Sequence, residues 1–140
     1  MIIDTSALVA ILRKEPEGDD CLVAITKAEV RRVSAASYVE TGIVIDCNDD
    51  PVLSRRLDQF LDELAVTIEP VTEEQARIAR QTYRDFGKGS GHPARLNLGD
   101  CFSYALAKAT GEPLLFKGQD FARTDIAPAL EGGGPVSHPD

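Results

Sequence analysis

The sequence is poor in the residues that build disulfide frameworks and zinc sites. Its 140 residues include three cysteines and two histidines. The cysteines, Cys21, Cys47 and Cys101, are far apart, with no CxxC spacing and no clustered histidines beside them. An odd number of widely spaced cysteines argues against a disulfide framework and against a zinc site. We therefore expect three buried, reduced thiols.

Long hydrophobic runs are also missing. None approaches the length of a membrane-spanning helix. The first residues, Met1-Ile2-Ile3-Asp4, place a charge where a signal peptide needs an apolar segment. These two absences predict a cytoplasmic protein without a membrane partner.

Positive charge is scarce as well. The chain has 15 lysines and arginines against 23 acidic residues, a formal net charge of −8. This balance argues against a nucleic-acid partner, because phosphate binding favours lysine and arginine. Nor do aromatic and basic residues interleave as they do in a platform that stacks single-stranded bases. The exception is a site whose carboxylates hold divalent cations, since the metal then supplies the positive charge.

What the chain does contain is an alternation of short apolar segments and amphipathic ones. Its length predicts one domain over residues 1–130, followed by a glycine-rich flexible tail over 131–140. The predicted strands are 1–4, 31–34, 66–68 and 114–116. The predicted helices are 7–12 after a Thr5-Ser6 cap, 19–29, 34 or 37 to 45, 52–64, 72–86 and 97–109. This alternation indicates an α/β fold, with a short central parallel sheet and helices on both faces.

Four acidic residues fall where this layout can bring them to one edge of the sheet. Asp4 and Asp120 follow predicted strands directly or after a short turn, and Glu40 and Asp100 lie near the starts of predicted helices. Ligands of open parallel sheets bind beyond the carboxyl ends of the strands. The four carboxylates are therefore candidates for one shared site.

Each of these acids, taken singly, also has an ordinary structural explanation. Asp4 fits a helix N-cap or a turn, and Glu40 fits an S-x-x-E capping box that begins at Ser37. The helix dipole stabilises an acid at the position of Asp100, and Asp120 fits a turn. Any one of the four is thus explained without a function.

Taken together, the four acids favour a functional site. Carboxylates that crowd together repel one another and raise each other's pKa values unless a cation lies between them. Oxygen ligands without cysteine or histidine partners suit Mg²⁺ or Mn²⁺. Such ions lower the pKa of a bound water and clamp a phosphodiester during in-line attack. The composition of the site therefore points to phosphoryl transfer.

Four segments of the chain resemble the PIN-domain ribonucleases, and specifically the VapC-type toxins of bacterial toxin–antitoxin pairs. The segments are IDTSA at 3–7, SAASYVE at 34–40, HPARLNLGDCFSYALA at 92–107, and LLFKGQDF at 114–121 with its continuation through Thr124-Asp125-Ile126. They follow the family's order over nearly the whole chain. The resemblance implies a PIN-like three-layer fold.

The resemblance also assigns roles to particular residues. It implies that Asp4, Glu40, Asp100 and Asp120 are the metal-binding acids and form the catalytic site, with Asp4 and Asp100 holding the main cation. By the same resemblance Glu40 and Asp120 complete the shell or bind a second ion. The supporting candidates are Thr5 or Ser6, either of which would orient Asp4, Lys117, which follows a strand, and Asp125, an acid in reserve. Gln119 departs from the family, whose members often carry Asp or Asn at that position.

The implied activity is hydrolysis of RNA phosphodiesters by a metal-activated water. The family also implies a homodimer and a cognate VapB-like antitoxin whose C-terminal segment covers the cleft. Mg²⁺ is the expected cofactor, with Mn²⁺ as the alternative.

Two other functions fit parts of the pattern. A phospho-acceptor signalling domain also combines a parallel sheet, an acidic edge with Mg²⁺ and a lysine after a late strand, here Lys117. It also requires an adjacent pair of N-terminal acids, whereas this chain has Asp4 alone. A catalytically inert PIN-like binding module is the other alternative, and the intact acids argue against it.

Overall fold

The computed structural model describes residues 1–47 and 50–130. The predicted turn residues Asn48 and Asp49 and the predicted tail over 131–140 lie outside the described residues. Within them the strands are Ile2–Ile3 (β1), Arg32–Ser34 (β2), Thr67–Glu69 (β3) and Leu114–Leu115 (β4). The helices are Thr5–Leu12 (α1), Gly18–Lys27 (α2), Ala35–Asp46 (α3), Pro51–Glu63 (α4), Glu73–Phe86 (α5) and Leu98–Thr110 (α6). A 3-10 helix over Phe121–Arg123 follows β4.

The four strands form one parallel sheet in the order β3-β2-β1-β4. The chain builds outward from β1 to β2 and β3, then returns through α5 and α6 to place β4 on the other side of β1. The order therefore reverses between β1 and β4, which is where an open α/β sheet forms its ligand crevice. The predicted α/β fold with a central parallel sheet is confirmed.

Two hydrophobic cores lie on opposite faces of the sheet. Ile2 and Leu114 pack with residues of α5 and α6 in one core, while Ile3 and Leu115 pack with residues of α1, α2 and α4 in the other. Successive side chains of a strand point to opposite faces, so even a two-residue strand contributes to both cores. The three-layer arrangement follows from these two cores.

Local capping signals fix several of the helix ends. Asn97 caps α6, Thr72 caps α5, and Gly111 ends α6 in the left-handed conformation with φ of 70°. At the start of α1 the side chain of Asp4 accepts a first-turn N–H. The predicted Thr5-Ser6 cap is therefore wrong, and the ordinary explanation of Asp4 as a helix N-cap is confirmed. Asp4 directly follows β1, so the chain passes from strand to helix without a loop.

The cysteines agree with the prediction in part. All three are free, and Cys21 and Cys101 are buried. The predicted burial of Cys47 is wrong, because Cys47 is exposed. It lies at the C-cap of α3, beyond Ile45, the last buried residue of that helix. Among the described helices there is none with the length and apolar character needed to traverse a lipid bilayer.

Candidate metal centre

Asp4 lies at the carboxyl end of the central strand β1 and is nearly inaccessible, with 2% of its surface exposed. Its Oδ2 accepts hydrogen bonds from the Ser6 backbone N–H at 2.9 Å and from the Ser6 hydroxyl at 2.6 Å. A buried carboxylate is tolerated only with such donors. Of the two predicted orienting residues, Ser6 contacts Asp4, while Thr5 donates to the carbonyl of Ser37 at 3.2 Å.

Ser103 holds the other oxygen of Asp4. Its hydroxyl donates to Oδ1 at 2.6 Å from a fully buried position on α6. The Ser37 hydroxyl on α3 lies 2.9 Å from that of Ser103. Since a serine hydroxyl has one hydrogen and Ser103 gives it to Asp4, Ser37 must be the donor of this second bond. A chain of hydroxyls thus connects α3 and α6 to Asp4.

The sequence contained a signal for Ser103, although no role was predicted for it. Ser103 is the small polar residue in a stretch, Cys101–Ala107, whose other hydroxyl belongs to Tyr104, and it lies one helical turn after Asp100. A small hydroxyl on the same side of the helix as a candidate ligand is placed to support the site.

Asp100 combines a structural role with an unfavourable electrostatic environment. Its Oδ2 accepts the Asn97 N–H at 3.0 Å, and the Asn97 side chain accepts the Asp100 N–H at 2.8 Å, which forms a capping box. The pKa of Asp100 is raised to about 7, above all by burial and in addition by repulsion from Asp4, Asp120 and Glu40, while the Asn97 hydrogen bond lowers it. The other three candidate acids therefore all lie within electrostatic range of Asp100.

Glu40 reaches this centre from α3. The N-cap of α3 is Ser34 rather than Ser37, so the capping-box explanation for Glu40 does not apply. The Glu40 carboxylate lies against the backbone of Gly99, the residue before Asp100. No role was predicted for Gly99, although it belongs to the motif at 92–107.

Asp120 reaches the centre from the turn after β4. It is exposed, and its side chain makes no capping hydrogen bond to the 3-10 helix that begins at the next residue. The ordinary explanation, a turn in which the Asp120 side chain bonds nearby backbone, therefore has no hydrogen bond to support it at the start of the 3-10 helix. The exposed carboxylate lies close enough to Asp100 to raise the pKa of that residue.

Lys117 is engaged with acids of the turn between α1 and α2. Its Nζ lies 3.1 Å and 3.2 Å from the two carboxylate oxygens of Glu15, and 3.7 Å from Glu17. The hydrogen bond to Glu15 is the main reason that the pKa of Lys117 is raised. Its backbone N–H donates to the Ser6 hydroxyl at 3.0 Å. Lys117 therefore supports Asp4 through its backbone and through Ser6.

Asp125, the reserve candidate, is engaged towards the other end of α6. It pairs with Lys108 at 2.7 Å and accepts a hydrogen bond from the Tyr104 hydroxyl. These bonds, that of Lys108 first, lower the pKa of Asp125. Lys108 is eight residues beyond Asp100, about 12 Å along a helix axis. The structure thus gives Asp125 a different set of partners from the four acids.

The chemistry of the centre fits a hard divalent cation. Its donors are carboxylate and hydroxyl oxygens, the set that suits Mg²⁺ or Mn²⁺. In the part of the chain that the structure describes, no group of three or more His, Cys, Asp or Glu side chains is arranged to hold a metal ion as it stands. The fit therefore rests on donor chemistry and on the three further carboxylates that face the partly buried Asp100.

Comparison with known proteins gives consistent similarities. The model of the PIN domain family matches residues 1–127, a range that includes all four acids. The chain is 57% identical over 131 residues to Ribonuclease VapC28 of Mycobacterium tuberculosis, covering 94% of this chain and 98% of that protein. It is 52% identical over 129 residues to Ribonuclease VapC42 of the same species, covering 92% and 98%.

Two solved structures resemble the fold. The crystal structure of Mycobacterium tuberculosis VapC20, described as a Sarcin-Ricin loop cleaving toxin, superposes with a TM-score of 0.72 at 16% identity, covering 90% of this chain and 95% of that one. A chain of a toxin–antitoxin complex from Klebsiella pneumoniae superposes with a TM-score of 0.69 at 17% identity, covering 93% and 98%. At these identities the two structures bear on the fold alone.

Proposed function

The chain belongs to the PIN-domain family, within the group of VapC ribonucleases, and on that premise we propose that it is the toxin of a toxin–antitoxin pair, an endoribonuclease that uses Mg²⁺ or Mn²⁺. One observation of this chain carries the metal dependence. Asp100 is a partly buried acid whose pKa is raised to about 7 by burial and by three further carboxylates. A divalent cation relieves that repulsion.

In this proposal Asp4 and Asp100 hold the main cation, and Glu40 and Asp120 complete its shell or hold a second ion. Three protein hydrogen bonds reach Asp4, from the N–H and hydroxyl of Ser6 and the hydroxyl of Ser103. A carboxylate has about four acceptor positions, so about one remains, on Oδ1. When bound, the metal lowers the pKa of a water and stabilises charge on the phosphodiester. Ser6 and Ser103 keep the Asp4 carboxylate in one orientation throughout.

The proposed partners follow from the family. They are an RNA substrate, a cognate VapB-like antitoxin and a second copy of the chain in a homodimer. The relatives named as VapC ribonucleases and the toxin–antitoxin complex of similar fold support an antitoxin partner. The cytoplasm is the proposed location, since RNA substrates are found there.

Cleavage of RNA by the purified chain tests the proposed activity. We expect single-stranded RNA to be cut in Mg²⁺ and to be left intact in EDTA. Asp4→Asn should lower the rate by about 100-fold or more, because even partners that only orient a metal ligand are worth about 10–100-fold. Asp62→Asn, which removes an exposed acid of α4, is the matched control and should cut RNA at the wild-type rate.

Equal cleavage by the wild-type chain and Asp4→Asn would reject the proposal. Phosphorylation by acetyl phosphate without RNA cleavage would favour the signalling alternative. Binding of Mn²⁺ without either reaction would favour the inert binding module.

The metal affinity should depend on pH through Asp100. Because its pKa is raised to about 7, this acid is largely protonated at pH 6 and largely ionised at pH 8. A metal must displace that proton, so its binding weakens as the pH falls. We expect Mn²⁺ to bind about tenfold more weakly at pH 6 than at pH 8, measured by titration calorimetry. An affinity that is constant over this range would contradict the assignment of Asp100 as a ligand.

A further inference from the structure

We propose that Gly99 is a positioning residue, because the absence of a side chain there leaves the space that the Glu40 carboxylate occupies beside Asp100. The inference rests on the proposed function. A Cβ built on Gly99 would lie 1.8 Å from Oε2 of Glu40, 2.4 Å from Cδ and 2.7 Å from Oε1. The whole carboxylate therefore fills the volume that any other residue at position 99 would take.

Backbone geometry does not explain the glycine. Gly99 lies in the first turn of α6 and is absent from the set of described glycines with positive φ, which comprises Gly89, Gly91, Gly111 and Gly118. Alanine is the better residue in a helix, since glycine loses more conformational freedom on folding. A helical glycine with an ordinary backbone thus has another reason to be there, and the contact with Glu40 supplies it.

The position of the Glu40 carboxylate matters for the centre. Glu40 is one of the three acids whose repulsion raises the pKa of Asp100, so its charge lies within range of that residue. The N-terminus of a helix also favours a nearby anion through its dipole. Gly99 therefore lets α3 deliver a carboxylate to the start of α6, where Asp100 resides.

The variant Gly99→Ala can show whether Gly99 positions Glu40 or is needed for folding. The atoms that it would meet are the far end of a flexible side chain, so Glu40 can turn away at little steric cost. The chain should fold as before, with Glu40 removed from the centre. Gly42 provides a matched control, because it is also helical and a Cβ there meets nothing within 4 Å.

The experiment compares Gly99→Ala with Gly42→Ala in the full chain. Both should unfold at the wild-type temperature or above it, in EDTA. By titration calorimetry Gly99→Ala should bind Mn²⁺ about tenfold more weakly than the wild type, as is usual when the support of a ligand is lost. Gly42→Ala should bind Mn²⁺ with the wild-type affinity. RNA should be cleaved more slowly by Gly99→Ala than by the wild type, and at the wild-type rate by Gly42→Ala.

Glu40→Gln shows whether Gly99 acts through Glu40. If it does, the double variant Gly99→Ala/Glu40→Gln binds Mn²⁺ with the same affinity as Glu40→Gln, because both substitutions remove the same contribution of the Glu40 carboxylate. Additive losses would overturn the inference, as would wild-type Mn²⁺ affinity in Gly99→Ala. A lower unfolding temperature for Gly99→Ala would overturn it too, because Gly99 would then serve packing.

The proposed function fails in a different way. If Asp4→Asn cuts RNA as the wild type does, the metal-dependent activity itself is wrong. If Asp4→Asn is inactive while Gly99→Ala matches the wild type in affinity and rate, only the role of Gly99 is wrong.

Discussion

Asp100→Asn is expected to abolish Mg²⁺-dependent RNA cleavage and, at the same time, to make the metal-free protein more stable. The cleavage rate should fall by about 100-fold or more. Loss of a residue that only orients a metal ligand lowers activity by about 10–100-fold, and loss of the ligand itself should lower it further. Stability should rise because the ionised Asp100 is opposed by burial and by the charges of Asp4, Asp120 and Glu40. The amide keeps an oxygen that can accept the Asn97 N–H of the capping box.

The stability gain should depend on pH with a definite sign. The pKa of Asp100 is about 7 in the folded chain, against its ordinary value of 3.8. Between these values the folded state retains a proton that the unfolded state has released, so stability falls as the pH rises from about 4 to about 7. Asp100→Asn has no ionisable group at this position, so its stability does not fall with rising pH for this reason. Its unfolding temperature in EDTA should therefore exceed that of the wild type by more at pH 8 than at pH 5.

Asp62→Asn again serves as the control for removal of one acidic charge. Since Asp62 is exposed on α4, its loss should leave both the cleavage rate and the unfolding temperature unchanged. A lower stability of Asp100→Asn at both pH values would contradict the expectation. That result would mean that the carboxylate contributes more as a cap of α6 than it loses through repulsion.

Ser103→Ala should destabilise the chain and weaken its metal binding together. The variant removes a hydrogen bond of 2.6 Å from a buried, charged acceptor, Oδ1 of Asp4. Hydrogen bonds to charged groups contribute about 1.5–3 kcal/mol, so we expect a loss in that range in the free energy of unfolding, measured with urea. Mn²⁺ affinity should fall about tenfold, because Asp4 loses the donor that holds the oxygen facing α6.

Two further variants separate the role of Ser103 from general packing. Ser103→Thr retains the hydroxyl and should recover much of the Mn²⁺ affinity. Ser37→Ala removes the next hydroxyl in the chain, 2.9 Å from Ser103, and should have the smaller effect on both measurements because it does not touch Asp4. If Ser103→Ala is as stable as the wild type and binds Mn²⁺ equally well, the hydroxyl chain has no part in holding Asp4.

Local signals in the sequence predicted much of the fold. Asn97, Thr72 and Gly111 mark helix ends because their caps use backbone groups within a few residues. The alternation of strands and helices likewise predicted the parallel sheet. The exposure of Cys47 was not predictable in this way, because the helix pattern of α3 does not say where its last buried residue lies.

The candidate acids were predictable, but their supporting contacts were not. Asp4, Glu40, Asp100 and Asp120 stand at strand ends and helix starts, which the sequence marks. The bond between Ser103 and Asp4 joins residues 99 positions apart, and no local pattern encodes such a pairing. The same holds for Gly99, because its contact is with the side chain of Glu40, which comes from α3. Helical spacing places Ser103 beside Asp100, but tertiary packing decides that Ser103 binds Asp4 and that Gly99 faces Glu40.

The four carboxylates come from four separate elements, at positions 4, 40, 100 and 120 of a 140-residue chain. During translation the last of them, Asp120, follows only after β4 has been made. A nascent or prematurely terminated polypeptide shorter than about 120 residues therefore carries an incomplete acidic centre. The layout of the centre makes its completion depend on synthesis and folding through Asp120.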